Sequence, residues 1–170
     1  MDFLKLAQDR YSCRTLTDAP VEQEKIDAIV ASAIAAPTAC NNQPWKVWVF
    51  QSAEALEKAR ATTPCAFGGS VMFAVGGKPE EAWVRHFDQK NFVDVDASIV
   101  ATHMLLAIQD QGLGTTWIGH FDEAALKAAF PEMKDYEMIA LFPVGYAAAD
   151  AVPAKGHFNT KAKDELITVL

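Results

Sequence analysis

Two arginines flank a hydroxyl near the start of the chain, in the stretch Gln8-Asp9-Arg10-Tyr11-Ser12-Cys13-Arg14. Arg10 and Arg14 are permanently charged, fork-shaped donors and Ser12 adds an O–H, a set that suits a phosphate monoester. If the segment is helical, residues four apart share a face, and the two cations repel by roughly a few tenths of a kcal/mol unless an anion joins them. That anion is either a carboxylate of the chain, Asp9 or Asp18, or one that binds from outside. A second polar cluster, Thr38, Asn41, Asn42 and Gln43 in "APTACNNQPW", separates a proline from an aromatic run. Its amides offer both hydrogen-bond polarities, so they could read the carbonyls and ring N–H of a heteroaromatic ligand. A turn that caps its own backbone is the alternative.

Other chemistries find no support. "GLGTTWIG" (112–119) looks like a phosphate loop, but the spacing is not GxGxxG and the glycines lead into a strand, whereas phosphate must meet a helix N-terminus. "GGSVM" lacks the second glycine of a nucleophile elbow. His86, His103, His120 and His157 are far apart in no metal-ligand spacing, and His103 reads as a packed, hydrogen-bonded histidine. Cys13, Cys40 and Cys65 are odd in number and widely spaced, against a disulfide framework, a CxxC pair or a zinc site. Acidic residues outnumber basic ones 22 to 15, for a net charge of -7, which would repel nucleic acid and anionic lipid. The N-terminus carries charge at positions 2, 5, 9 and 10, unlike a signal peptide, and no apolar run reaches membrane-spanning length. A cytoplasmic protein is expected.

Several elements must position these groups. Length (170 residues) and 51% hydrophobic content suit one domain, 1–170, with a sizeable core. Residues 2–11 read as a short amphipathic helix. A second begins near Pro20, carries Ile26, Ile29, Val30, Ala33 and Ile34 at the helical period, and is stopped by Pro37. "WKVWVF" reads as a strand, 53–61 as a surface helix and 70–77 as an apolar strand. Residues 78–93 are a charged and aromatic excursion, in part helical. From Asp94 to Gln111 the pattern predicts a central helix, apolar around most of its circumference, with Asp94 and Asp96 at its electropositive end and Gly112 as its C-terminal cap. "TTWIG" is expected as a strand, "DEAALKAAF" as a helix, "EMIALFPVGY" as the longest strand and "ELITVL" as a late one. The order is α-α-β-α-β-α-β-α-β.

Taken in order, "RYSCR", "APTACNNQPWKVWVF", "DVDASIVATHMLLAIQDQGLGTTWIG" and "FPVGYAA" resemble the nitroreductase family of FMN enzymes, over nearly the whole chain. The resemblance implies an α+β, three-layer fold, a mixed sheet flanked by helices, in an intertwined homodimer with FMN at the interface and "ELITVL" able to join the partner's sheet. It implies FMN contacts from Arg10, Tyr11, Ser12 and Arg14, with Arg10 and Ser12 at the phosphate and Arg14 nearer the ribityl chain or pyrimidine edge. There Arg14 would stabilise the reduced, anionic ring. Thr38, Asn41 and Gln43 match the loop that lies over the flavin, commonly from the partner subunit. Trp117, Ile118 and Gly119 match a stretch whose backbone approaches the ring, and Lys161 or Lys163 a late basic residue on the phosphate. The implied activity is ping-pong transfer of hydride from NADH or NADPH to a nitroaromatic, quinone or similar small electrophile. The cofactor carries that chemistry, so no side chain is assigned as catalytic acid or base. Residues 78–93 are shorter than the family's lid. Two other readings stay open: a flavin store or redox sensor without turnover, and a cofactor-free interaction domain in which "RYSCR" is a salt-bridged helix end.

Overall fold

In the computed structural model, which describes residues 2–170, the chain runs α1 (Phe3–Asp9), α2 (Gln23–Ile34), β1 (Trp45–Phe50), α3 (Ala53–Arg60) and β2 (Val71–Gly77). A two-rung hairpin follows, β3 (Val84–Arg85) and β4 (Lys90–Asn91), then α4 (Val93–Asp110), β5 (Gly114–Thr115), α5 (Glu123–Ala129), β6 (Glu137–Gly145) and α6 (Lys163–Leu166). The main sheet has the order β1-β2-β6-β5. Its class and flanking helices are as expected. Where a mixed sheet was expected, the ladders described within this chain are all antiparallel, since α3 and its loop return the chain to the end of the sheet it left.

Strand periodicity produces the three layers. Val71, Phe73 and Val75 of β2, with Ala140, Phe142 and Val144 of β6, point to one face and pack on α2 and α4. Met72, Ala74 and Leu141 point to the other face, where Trp48, Phe50, Leu56 of α3 and Leu126 of α5 close a second core. β2 and β6 are therefore buried on both faces, which is why both read as nearly continuous apolar runs. α4 is central as predicted, packed on α1, α2 and the sheet.

Three expectations need correction. The first helix ends at Asp9, and Arg10 is already extended (φ -63°, ψ 131°). "TTWIG" contributes only the short β5 and a lone bridge from Ile118 to Leu141. "ELITVL" forms no strand. Lys163–Leu166 takes one helical turn, with the Glu165 carboxylate accepting the Ala162 N–H at 3.0 Å, and Ile167–Leu170 lie exposed. Its β-branched residues need a sheet edge to become a strand, and in this chain they are against none. Residues 78–93 hold a 3-10 turn at Pro79–Glu81, as the part-helical reading expects, plus the hairpin, which the sequence did not reveal.

Candidate cofactor site

Residues 10–17 run extended between the end of β6 and the loop before β2. Their backbone is fixed by partners distant in sequence. Cys13 N–H donates to Thr115 O at 2.9 Å, Leu16 N–H to Phe67 O at 3.1 Å, Thr17 N–H to Tyr146 O at 2.8 Å, and Ala148 N–H to Thr15 O at 3.0 Å. Two glycines admit the segment: a Cβ on Gly145 would lie 2.9 Å from both Gly69 Cα and Thr17 O, and one on Gly68, at φ +82°, would lie 2.5 Å from Leu16 O. Cys13 and Leu16 are buried, which anchors the strip.

In extended chain, alternate residues share a side. Arg10, Ser12 and Arg14 accordingly line one cavity of about 370 Å³, closed opposite by Ala154, Gly156 and His157. The shared face arises from the two-residue repeat of an extended strip, not from a helical turn. Among the described residues no carboxylate lies within 4.0 Å of either guanidinium: Asp9 pairs with Lys5 at 2.6 Å, and Asp18 lines a separate hollow with Arg60. The salt-bridged helix end is thereby replaced by two cations and a hydroxyl facing an open space. Tyr11, on the opposite alternation, sets its ring edge to His157 at 6.4 Å, and burial, followed by contact with the Cys13 thiol, raises its hydroxyl above the ordinary value. Tyr11 therefore stays a neutral donor at physiological pH.

The second polar cluster is built locally. Thr38 Oγ1 accepts the Gln43 N–H at 3.0 Å, and Asn41 and Asn42 N–H groups donate to Thr38 O and Ala39 O across a single 3-10 turn. Cys40 (φ 52°), Asn41 (φ 55°) and Gln43 (φ 52°) are all left-handed, a conformation costing on the order of 1 kcal/mol for each non-glycine residue. Two long-range contacts hold this shape: Ala39 N–H donates to Asp96 Oδ1 of α4 at 2.8 Å, and Asn42 Nδ2 to Glu81 O at 3.2 Å. The Asn41 and Gln43 side chains are left at the surface. The turn caps its own backbone through Thr38, Gln43 Nε2 donates to Asn41 O at 3.3 Å, and the Asn41 amide faces outward.

Trp117 and Ile118 point to opposite faces of the sheet. Trp117 packs edge-on to Phe142 at 5.3 Å, whereas Ile118 is buried in the α3/α5 core, its N–H and C=O both bonded to Leu141 at 2.9 and 3.0 Å. Gly119 is exposed, with nothing within 4 Å of where a Cβ would stand. Lys161 and Lys163 lie on the exposed tail and do not line the arginine cavity; Gly156 and His157 occupy its wall instead. His103 is half-buried and lines two adjoining hollows beside α4.

The strand register fixes how these parts relate. Trp45, which ends the amide loop, is opposite Gly77, and Gly77 is opposite Glu137 at the start of β6. The arginine strip meets the far end of that strand, at Gly145 and Tyr146. Nine residues of β6 separate the two, about 27 Å. Within one chain the arginines and the amide loop are at opposite ends of the sheet.

The model of the Nitroreductase family matches residues 7–67 and 64–146. This chain belongs to the nitroreductase family. A relative from Archaeoglobus fulgidus, provisionally named an NADH dehydrogenase/NAD(P)H nitroreductase, is 30% identical over 151 residues, covering 83% of this chain and 81% of its own. A nitroreductase family protein from Clostridium difficile 630, seen in a crystal structure, superposes with a TM-score of 0.90 at 31% identity, over 99% of this chain and 98% of that one. A provisionally named nitroreductase from Desulfovibrio desulfuricans, crystallised with FMN, has a TM-score of 0.82 at 22% identity, over 100% and 97%; at that identity it speaks for the shared fold.

Sequence reasoning missed two residues of this candidate site. His157 sits in a polar tail without periodicity, and only the fold brings it to the arginines. Asp96 was read as a partner of the helix dipole; its burial and its hold on Ala39 depend on a contact across 57 residues.

Proposed function

We propose that the chain is an NAD(P)H-dependent FMN oxidoreductase acting as a homodimer, with the cofactor at the subunit interface. The observation that carries this reading is the arginine cavity. In a protein of net charge -7, two guanidiniums and a hydroxyl face one hollow with no carboxylate within reach, which leaves the cationic face free for a phosphate monoester. Arg10 and Ser12 would hold the phosphate and Arg14 the adjoining polyol or ring edge, with Tyr11 fixing the His157 wall. FMN held there would supply the redox chemistry of a ping-pong cycle between NADH or NADPH as hydride donor and a small electrophile, a nitroaromatic or a quinone, as acceptor.

The distance between the two polar clusters supports the dimer. Thr38, Asn41 and Gln43 stand about 27 Å along β6 from their own arginines, so a two-fold arrangement is what lets one flavin meet a strip from one subunit and a loop from the other. The outer side of α4 supports it as well. Val95 and Ile99 line an apolar hollow of about 560 Å³ that adjoins, at Thr102 and His103, a second one lined by Phe3, Leu6 and Leu106. Phe3, in the wall of the second hollow, is 69% exposed, and a second copy would cover it. Trp117 and Gly119 would pass beside the ring, Ile118 contributing packing since its backbone groups are committed to Leu141. Lys161 and Lys163, on the tail, would add long-range positive charge. Dependence on the reduced nicotinamide pool would suit work in the cytoplasm; among the described residues no helix is long and apolar enough to cross a membrane.

The visible spectrum of the purified protein, before and after anaerobic NADH or NADPH, tests the proposal. A flavin spectrum that bleaches on donor addition is expected. Bound flavin that does not bleach would make the protein a store or sensor, and a colourless protein that takes up no added FMN would overturn the reading.

A further inference from the structure

Asp96 is 1% exposed and carries a carboxylate into the base of α4. One oxygen accepts the Ala39 N–H at 2.8 Å; the other is buried without a partner. A half-satisfied carboxylate is a costly way to fill a core position, since an apolar side chain of similar size would avoid the desolvation. The electropositive end of the 18-residue helix offsets only part of that cost. What the carboxylate achieves is local: it pins the N–H of the residue that opens the left-handed run Cys40, Asn41, Gln43. Left-handed conformations in non-glycine residues persist only where surrounding contacts impose them. Of the loop's two long-range hydrogen bonds, the one to the Asp96 carboxylate is part-buried and the shorter, while the one from Asn42 is exposed.

We infer that Asp96 is a positioning residue: it fixes the course of residues 38–43 and thereby aims Thr38, Asn41 and Gln43 at the ring end of the flavin site. This rests on the cofactor reading above. It separates two duties, the arginine strip setting affinity for the phosphate and Asp96 setting how the loop meets the ring. Substitution at Asp96 therefore lowers affinity for FMN and for riboflavin, which lacks the phosphate, by the same factor.

The test compares Asp96→Leu, which deletes the acceptor, with Asp96→Asn, which keeps one for Ala39. Ala39→Pro is a second route: it deletes the donor, and Thr38 (φ -135°, ψ 160°) already has the conformation favoured before proline. Hydrogen exchange of the flavin-free protein is expected to accelerate at least about tenfold at 39–43 in D96L, with β2 and β6 unchanged, as for loss of a hydrogen bond to a charged group. Titrations are expected to show about tenfold weaker binding of both FMN and riboflavin in D96L and A39P, an altered visible circular dichroism of the bound flavin, and recovery to within about threefold in D96N. Unchanged exchange at 39–43 would overturn the inference, as would faster exchange with both affinities intact, or a loss confined to FMN. Should D96L not fold, A39P and D96N decide by the same readouts. A parent protein that binds neither flavin sinks the cofactor reading, and this inference with it; a parent that binds both, with variants that match it, sinks this inference alone.

Discussion

The arginine strip and the amide loop are both polar surface segments, yet they are held by opposite means. Residues 10–17 have no regular structure of their own and take their course from four backbone hydrogen bonds to partners 51 residues or more away, and from glycines that leave room for them. Residues 38–43 are shaped by contacts within a few residues, accept three left-handed conformations, and touch the rest of the fold at two points. The first arrangement gives a rigid platform whose position is as stable as the sheet. The second gives a loop that can adjust to what it meets and loses its shape when one anchor goes. A phosphate, with fixed charge, suits the platform; a ring system that changes charge on reduction suits the adjustable partner.

Four experiments would break or sharpen that contrast. Gly145→Val has the largest expected effect, because the new side chain meets backbone on both sides; a loss of about 4 kcal/mol, roughly 10 °C in Tm, is expected, while Gly119→Ala, in open space, should be near neutral by the same thermal melts. Arg10→Ala comes next. FMN binding should weaken by about 1.5–3 kcal/mol while riboflavin binding and the Tm of the flavin-free protein hold, since Arg10 has no carboxylate partner to lose; fluorescence titration with both flavins decides. Thr38→Ala removes the acceptor for the Gln43 N–H and should cost about 1 kcal/mol or less in urea unfolding, water replacing the bond in this exposed loop. Tyr146→Phe has the smallest effect. The tyrosine hydroxyl donates to Glu22 and accepts from Lys25, tying α2 to the end of β6. The Tyr146 hydrogen bond, foremost, holds the Glu22 carboxylate below its ordinary value of 4.5. Its stabilisation is therefore present above that pH and lost as the pH falls through the depressed range, so the slight Tm difference between the two proteins should vanish in acid.

Much of the fold was legible because its long elements carry their period in the sequence. β2, and β6 beyond Glu137, are apolar and buried on both faces; α4 is apolar around most of its circumference and central. The boundary of α1 was not, since no proline or glycine marks Asp9; the helix stops because Arg10–Thr17 is claimed by β5, β6 and the Phe67–Gly69 turn. The same cause hid the true geometry of the arginines. Their types were readable, but their shared face follows from a strip whose conformation is decided far away in the chain. "ELITVL" failed for the converse reason: strand propensity has no outlet without a free edge beside it. Asp96 and His157 show the remaining limit, since nothing near either in sequence reports the residue it meets.

The separation along β6 has a genetic consequence. In the homodimer proposed above, a subunit disabled in its arginines would still offer a sound loop, and a subunit disabled in its loop would still offer sound arginines. Co-expressed, two such inactive forms would assemble mixed pairs in which one of the two centres is whole, and activity would return without any wild-type chain. A protein that closed its site on itself could show no such rescue.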